Sequence, residues 1–531
     1  MRDGVELSSD VWFPPAGIDG GPYPVLLFRT PYGNQGAAPL RYAKYLSDRG
    51  FVVALQDVRG RHDSDGDFYP FNYEGPDGYD SVEWFAQQEW CSGRVGMFGG
   101  SYVGWVQWAA ARERPPHLTT LVSTAAAGRW CEELPYNNGM TYLPLFGWLN
   151  TVAGRIWNDS GSIDWQTVYR TLPLRDLPKA IGRDMPVVHD WLDHPFLDDY
   201  WTSVRLTADD FASIDLPVLH ITGWYDGDQP GTLFFYDGMR AHSPARDQQH
   251  VLIGPWDHGG TRVPARTTGG VDFGEDAVFD VLDLHARWFD RFLNETDNGV
   301  DRDDRVRYFA MGTNAWRTAE AWPPAGTATS YFLGPEGSLA TAAGDGSDSY
   351  VYDPMDPVVT STDWCFYPTP PQQYAAAPID RRFAERRADV LVYTSEAVTA
   401  DFDIAGKPMV HLEASSDCAD TDWIVWLTDV APSGASTLLT QGRMRARFRE
   451  SLSSEVLMTP GERYAFTFEC DATAHTFLPG HRIRVDVTSS DFPTYARNLN
   501  TGGVSADEVD PRVATNTVFH SSRVELPVVP A

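Results

Sequence analysis

Two rhythms of apolar and polar positions divide the chain. In the first third, continuous apolar runs alternate with amphipathic stretches. Residues 24–29, 51–57, 94–98 and 118–124 are runs of the first kind, apolar on both faces as strands of a covered parallel sheet must be. Between them, residues 40–48, 77–90 and 102–112 read as helices. This alternation predicts a parallel sheet wound with helices. Near residue 126 the rhythm stops. As far as residue 212, aromatic residues are dense, helices are expected over 165–172 and 187–192, and no strand repeat is visible, so an inserted helical module is predicted. The alternation resumes with strands at 216–222, 251–253 and 306–310 and helices at 232–239 and 278–293.

Beyond about residue 322 the second rhythm takes over. Gly, Ser, Thr and Pro become dense, as in 334–349 and 367–371, which predict turns or loops. Short alternating runs at 389–394, 409–414, 423–430, 463–468 and 482–488 predict an antiparallel sandwich or jelly roll.

Composition narrows the function classes. The 531 residues carry a net charge of −31, from 53 Asp and 20 Glu against 39 Arg and only 3 Lys. Such a surface repels nucleic acid and anionic membranes. An Asp-coated, Lys-poor surface suits a salt-rich cell interior, where screening removes self-repulsion; a GC-rich codon bias gives the same composition. The five cysteines form no C-x-x-C pair, which argues against a zinc site and against a disulfide framework. There is no run of 18 apolar residues, and the polar start lacks the apolar region of a secretory signal, so a cytoplasmic protein is expected. Oligomeric state is left open, a homo-oligomer included.

The candidate chemistry lies where strands end. Gly99-Gly100-Ser101-Tyr102-Val103-Gly104 sits between a buried strand and a helix. A nucleophilic serine needs that context: a tight turn lifts its hydroxyl off the sheet edge, and the helix N-terminus offers the Tyr102 amide to an oxyanion. Gly223-Trp224-Tyr225-Asp226-Gly227 follows a later strand, and Gly254-Pro255-Trp256-Asp257-His258-Gly259 the next. Three such residues in the order Ser, Asp, His predict a catalytic triad of Ser101, Asp226 and His258. Asp257 competes as the acid, but adjacency to His258 places it poorly for the ring's Nδ1. No metal or cofactor is called for.

These segments resemble the cocaine esterase and X-Pro dipeptidyl-peptidase family (the CocE/NonD hydrolases, peptidase family S15). The elbow G-x-S-Y-x-G, Arg29-Thr30-Pro31-Tyr32, Asp57-Val58-Arg59-Gly60, the Asp226 and His258 segments, Phe477-Leu478-Pro479-Gly480-His481-Arg482-Ile483 and Asn500-Thr501-Gly502-Gly503 all match. The resemblance implies fold class α/β: an α/β-hydrolase core in two parts (residues 1–125 and 213–325), a helical cap (126–212) and a C-terminal β jelly roll (326–531). It also implies that the Tyr32 hydroxyl joins the Tyr102 amide in the oxyanion hole.

For the substrate, the resemblance points two ways. The cocaine-esterase branch has an aromatic residue two places after the catalytic Asp, whereas this chain has Asp228. Related α-amino acid ester hydrolases have a carboxylate there that helps bind the substrate's α-ammonium, with another acidic residue early in the cap, near Glu132 and Glu133 here. Their third acidic position is Gln229 in this chain. Trp130, Trp148 and Trp157 are candidate aromatic walls. The expected partner is a small-molecule ester, amide or short peptide. The leading expectation is a carboxylic ester hydrolase with some amidase reach. An X-Pro dipeptidyl aminopeptidase or α-amino acid ester hydrolase is the second, and a non-catalytic binding protein on the same fold the third.

Overall fold

A computed structural model describes residues 1–361 and 377–530. Its first half is built on one nine-stranded sheet: β1 (Ser9–Trp12), β2 (Tyr23–Thr30), β3 (Val52–Asp57), β4 (Cys91–Gly100), β5 (Leu118–Thr124), β6 (Val218–Tyr225), β7 (Gln249–Asp257), β8 (Val306–Ala310) and β9 (Ala315–Ala319). The spatial order is β1-β3-β2-β4-β5-β6-β7-β8-β9. The seven strands from β3 to β8 run parallel, and β1 and β9 close the edges antiparallel. The continuous apolar runs have the meaning expected of them. Leu26, Phe28, Val53 and Leu55 pack with Tyr42 and Leu46 of α1 (Ala37–Ser47) and with Phe289 further along the chain. Their alternates Val25, Leu27, Val52 and Ala54 pack on the opposite face with Val82 of α2 (Glu74–Ala86) and Trp108 of α3 (Tyr102–Arg112).

Between β5 and β6 the chain leaves the sheet. It forms short helices, among them α4 (Pro144–Val152) and α5 (Pro186–Asp193), above the carboxyl ends of the strands. The helix expected over 165–172 is only Trp165–Val168. Pro173 disfavours helical geometry at Leu172, so the turn cannot propagate. After β6 come α6 (Gln229–His242) and, after β7, α7 (Val281–Leu293).

The described strands of the C-terminal region pair antiparallel. One sheet pairs Thr327–Leu333, Arg523–Val528, Met409–Ser416, Ala514–Phe519 and Ser347–Tyr352; a second pairs Leu391–Thr394, Arg482–Thr488, Asp422–Val430 and Ser436–Arg445. Leu412 and Phe466 from one sheet and Val425 and Val485 from the other share one core. The stretch 334–349 is not a plain loop. Leu339–Ala340 pairs with Thr327–Leu333, and a strand starts at Ser347, because neighbouring strands supply partners that local composition does not reveal. The turn expected at 367–371 and Cys365 lie outside the described residues. Cys91, Cys131, Cys418 and Cys470 are free thiols, the last three buried. Among the described residues no helix is long and apolar enough to cross a membrane.

Candidate active site

Parallel strands deliver their carboxyl ends to one edge, and the three sequence-predicted residues meet there. Ser101 follows β4 directly, with φ 65° and ψ −132°. A non-glycine residue in that region costs about 1–3 kcal/mol and is held only by its surroundings. Here the Ser101 amide donates to Thr124 O (3.0 Å) and Ala125 O (2.9 Å), while Ser101 O accepts from the Gly104 and Trp105 amides of α3. The late glycine of the elbow has a packing reason. A Cβ at Gly104 would stand 2.7 Å from Thr124 O and 3.0 Å from Ala126 Cβ, so a side chain there would push α3 off β5.

Asp226 follows β6 and His258 follows β7. His258 Nδ1 lies 2.7 Å from Asp226 Oδ1. Asp226 Oδ2 accepts from Thr222 Oγ1 at 2.8 Å, and Oδ1 also accepts from the Asp228 amide at 3.0 Å. Burial pushes this carboxyl up, but the adjacent His258 and these donors outweigh it and hold Asp226 below the ordinary aspartate range. Asp257 is occupied otherwise, accepting from the Gly260 amide at 2.7 Å within the turn.

Ser101 and His258 line one cavity of about 500 Å³ together with Tyr32, Tyr102, Trp148 and Asp228. The Tyr32 phenol oxygen accepts from Trp148 Nε1 at 3.0 Å, and its ring meets Trp157 edge-on at 6.0 Å. The Tyr102 side chain points away into the core: its hydroxyl donates to Glu74 Oε1 (2.8 Å) and accepts from the Phe71 amide (3.1 Å). What Tyr102 has to offer a reacting group is therefore its backbone N–H.

The proposed substrate-binding residues separate. Asp228 lines the cavity, its Oδ2 3.8 Å from His258 Nδ1. Burial, then Glu133 and Asp226, push its carboxyl well above the usual range, with Arg262 pulling the other way. Glu133 lies beneath the cavity wall and does not line it. Its Oε2 accepts from the Gly128 (3.0 Å) and Arg129 (2.9 Å) amides, its Oε1 is buried without a partner, and burial pushes it up to about 8. Glu132 turns to a different depression, where Arg129 (3.0 Å) and Arg205 (2.7 Å) neutralise it. Trp130 is 1% exposed and packs against Phe71 at 4.5 Å, so it serves the cap's core and not the wall.

Gln229 has a structural explanation. Its Nε2 donates to Ala472 O (2.9 Å) and its Oε1 accepts from the Ala472 amide (2.8 Å), tying α6 to the C-terminal sandwich. A carboxylate could make only one of these bonds. Polar lining residues that escaped the sequence reading include Tyr142 and Arg262. Arg262 left a faint signal, standing four residues after the triad histidine. Tyr142 left none. The ligand atoms of Asp226, Asp228 and His258 lie within 4.8 Å of one another, as a metal site would need, but His258 Nδ1 is already engaged by Asp226.

Residues 3–260 match the model of the X-Pro dipeptidyl-peptidase (S15 family), and residues 298–525 that of the X-Pro dipeptidyl-peptidase C-terminal non-catalytic domain. The cocaine esterase of Rhodococcus sp. (strain MB1 Bresler) is 33% identical over 574 aligned residues, covering 100% of this chain and 97% of that protein. Among solved structures, an α-amino acid ester hydrolase superposes with a TM-score of 0.89 at 26% identity, covering 100% of this chain and 95% of that one. An aminopeptidase from a marine sediment Thaumarchaeota archaeon superposes at 0.88 and 26%, with the same coverage.

Proposed function

Since the chain belongs to the X-Pro dipeptidyl-peptidase (S15) family of serine hydrolases, we propose that Ser101 is its nucleophile, His258 its general base and Asp226 the residue that fixes the imidazole. The reaction is hydrolysis of a carboxylic ester or amide. Ser101 Oγ attacks the carbonyl carbon as His258 takes its proton, and Asp226 stabilises the imidazolium through the 2.7 Å bond to Nδ1. The developing oxyanion accepts from the Tyr102 amide and the Tyr32 hydroxyl. His258 returns the proton to the leaving atom, and water then hydrolyses the acyl-enzyme. The observation that carries this reading is the His258–Asp226 pair opening onto the same cavity as a serine in a strained turn at a helix N-terminus.

The test is labelling by a fluorophosphonate. Native protein takes one label, and Ser101→Ala takes none and loses turnover by about 10⁴-fold or more. Label retained in Ser101→Ala removes Ser101 from the role.

A second reading refines the acyl side. Asp228 in the wall, with Glu133 behind it, supports recognition of a substrate α-ammonium, in keeping with the ester hydrolase and aminopeptidase structures that superpose on this chain. Burial raises both carboxyl groups above the ordinary range, and a bound cation would favour their charged forms. Comparing a p-nitrophenyl acyl ester with an α-amino ester and Ala-Pro-p-nitroanilide decides it. Preference for the α-amino substrates, reduced by about tenfold or more in Asp228→Asn, supports the reading; equal use of amino and des-amino esters overturns it.

A further inference from the structure

The cavity lining carries groups of both signs, Asp228 and Arg262, together with residues from the start of α1, Gly36, Ala37 and Ala38. Arg262 is the informative member. It belongs to the loop that carries His258, its amide bonded to Gly259 O at 3.1 Å. Its guanidinium lies against the residue before the nucleophile, since a Cβ at Gly100 would stand 2.5 Å from Arg262 Nη1. That nitrogen is fully buried and has no hydrogen-bond partner. Among the described residues no carboxylate forms an ion pair with Arg262, although Asp228 feels its charge, whereas the buried Arg445 pairs with Asp422 and Arg447 with Asp420. A guanidinium nitrogen kept buried and unpaired beside a reacting centre is placed to receive an oxygen of an anion. The first turn of α1, which has no side-chain cap, adds partial positive charge to the cavity it borders.

On the assignment of Ser101 and His258 given above, we propose that Arg262 recognises a carboxylate on the leaving group of the substrate. The general acid fixes the direction. His258 must face the departing oxygen or nitrogen to protonate it, and Arg262 lies one turn further along the same loop. The substrate class that follows is a short peptide or ester whose departing half is an amino acid or hydroxy acid with a free carboxylate. The bond from acyl carbon to nitrogen or oxygen breaks, His258 supplies the proton, and the departing acid leaves still paired to the guanidinium. In a chain of net charge −31, an anionic group needs such a local partner to enter at all.

The test compares two near-isosteric substrates with the same acyl group, 3-acetoxybenzoate and 3-acetoxybenzamide. Wild-type protein is expected to favour the carboxylate by about tenfold or more in kcat/KM. Arg262→Met brings the ratio to within about twofold of unity, and Arg262→Lys keeps part of the preference. A ratio is insensitive to the fraction of folded protein, and active sites are counted with a neutral fluorophosphonate. No preference in wild type, or the same preference in Arg262→Met, overturns the proposal. Turnover and label that survive Ser101→Ala would instead overturn the nucleophile assignment, an outcome the Arg262 ratio does not touch.

Discussion

The two walls of the cavity were made by different means. The sheet edge contributes Ser101, Asp226, His258 and Tyr32, each fixed by where a strand ends. The inserted cap contributes Trp148, Tyr142 and the buried support of Glu133, from a short helix, an isolated bridge to Tyr495 and a turn. The pair Glu132 and Glu133 shows how far this goes. They are adjacent and chemically identical, yet Arg129 and Arg205 hold Glu132 below the ordinary carboxylate range in a separate depression, while burial pushes Glu133 up to about 8 beneath the cavity. On the sheet edge, position in sequence decides position in the site. In the cap it does not.

Mutations on the sheet edge should be the more severe. Asp226→Asn keeps the shape but favours the wrong tautomer of His258, and kcat should fall by about 10⁴-fold. Asp257→Asn, which only disturbs a turn, should stay within about threefold of wild type. Equal losses in the two variants would mean that sequence order misassigned the acid. Tyr32→Phe removes one oxyanion donor and should lower kcat by about 10²- to 10³-fold with little change in KM. A loss confined to KM would make Tyr32 part of the wall and not of the chemistry.

The smallest effect belongs to the cap and is read as stability. Glu133 has a folded-state pKa of about 8 against an ordinary value of 4.5. Between those values the folded chain holds a proton that the unfolded chain has lost, so stability falls as pH rises through that window, by up to about 1.4 kcal/mol per pH unit. Glu133→Gln cannot titrate. Its melting temperature should therefore gain on that of wild type as the pH is raised from about 5 to about 8, whereas Glu132→Gln should lose its two arginine pairs and show no such gain. Parallel melting curves for wild type and Glu133→Gln across this range would place Glu133 in an ordinary solvated environment and dissolve the contrast.

The legibility of the molecule follows the same division. Core strands were visible because burial on both faces demands continuous apolar runs, and residues 118–124 and 306–310 coincide with β5 and β8. The G-x-S-Y-x-G elbow was readable because only glycine fits where α3 crosses β5. Edge pairing at Leu339–Ala340 was not, since it depends on a partner strand. Nor was the retreat of Trp130 into a cluster with Phe71, Trp105 and Trp201, because an aromatic residue reads the same whether it fills a core or lines a wall.

The sequence by itself determined the strand–helix alternation, the order Ser101, Asp226, His258 and the hydrolase chemistry they imply, because each of these is a local demand on residue type. Only the tertiary structure decided which carboxylates face the cavity, why position 229 is a glutamine bonded to Ala472, and that Arg262 stands beside Gly100 with a buried nitrogen left without a hydrogen-bond partner. Charge pairing and burial are relations between segments distant in the chain, and no spacing rule within one segment encodes them.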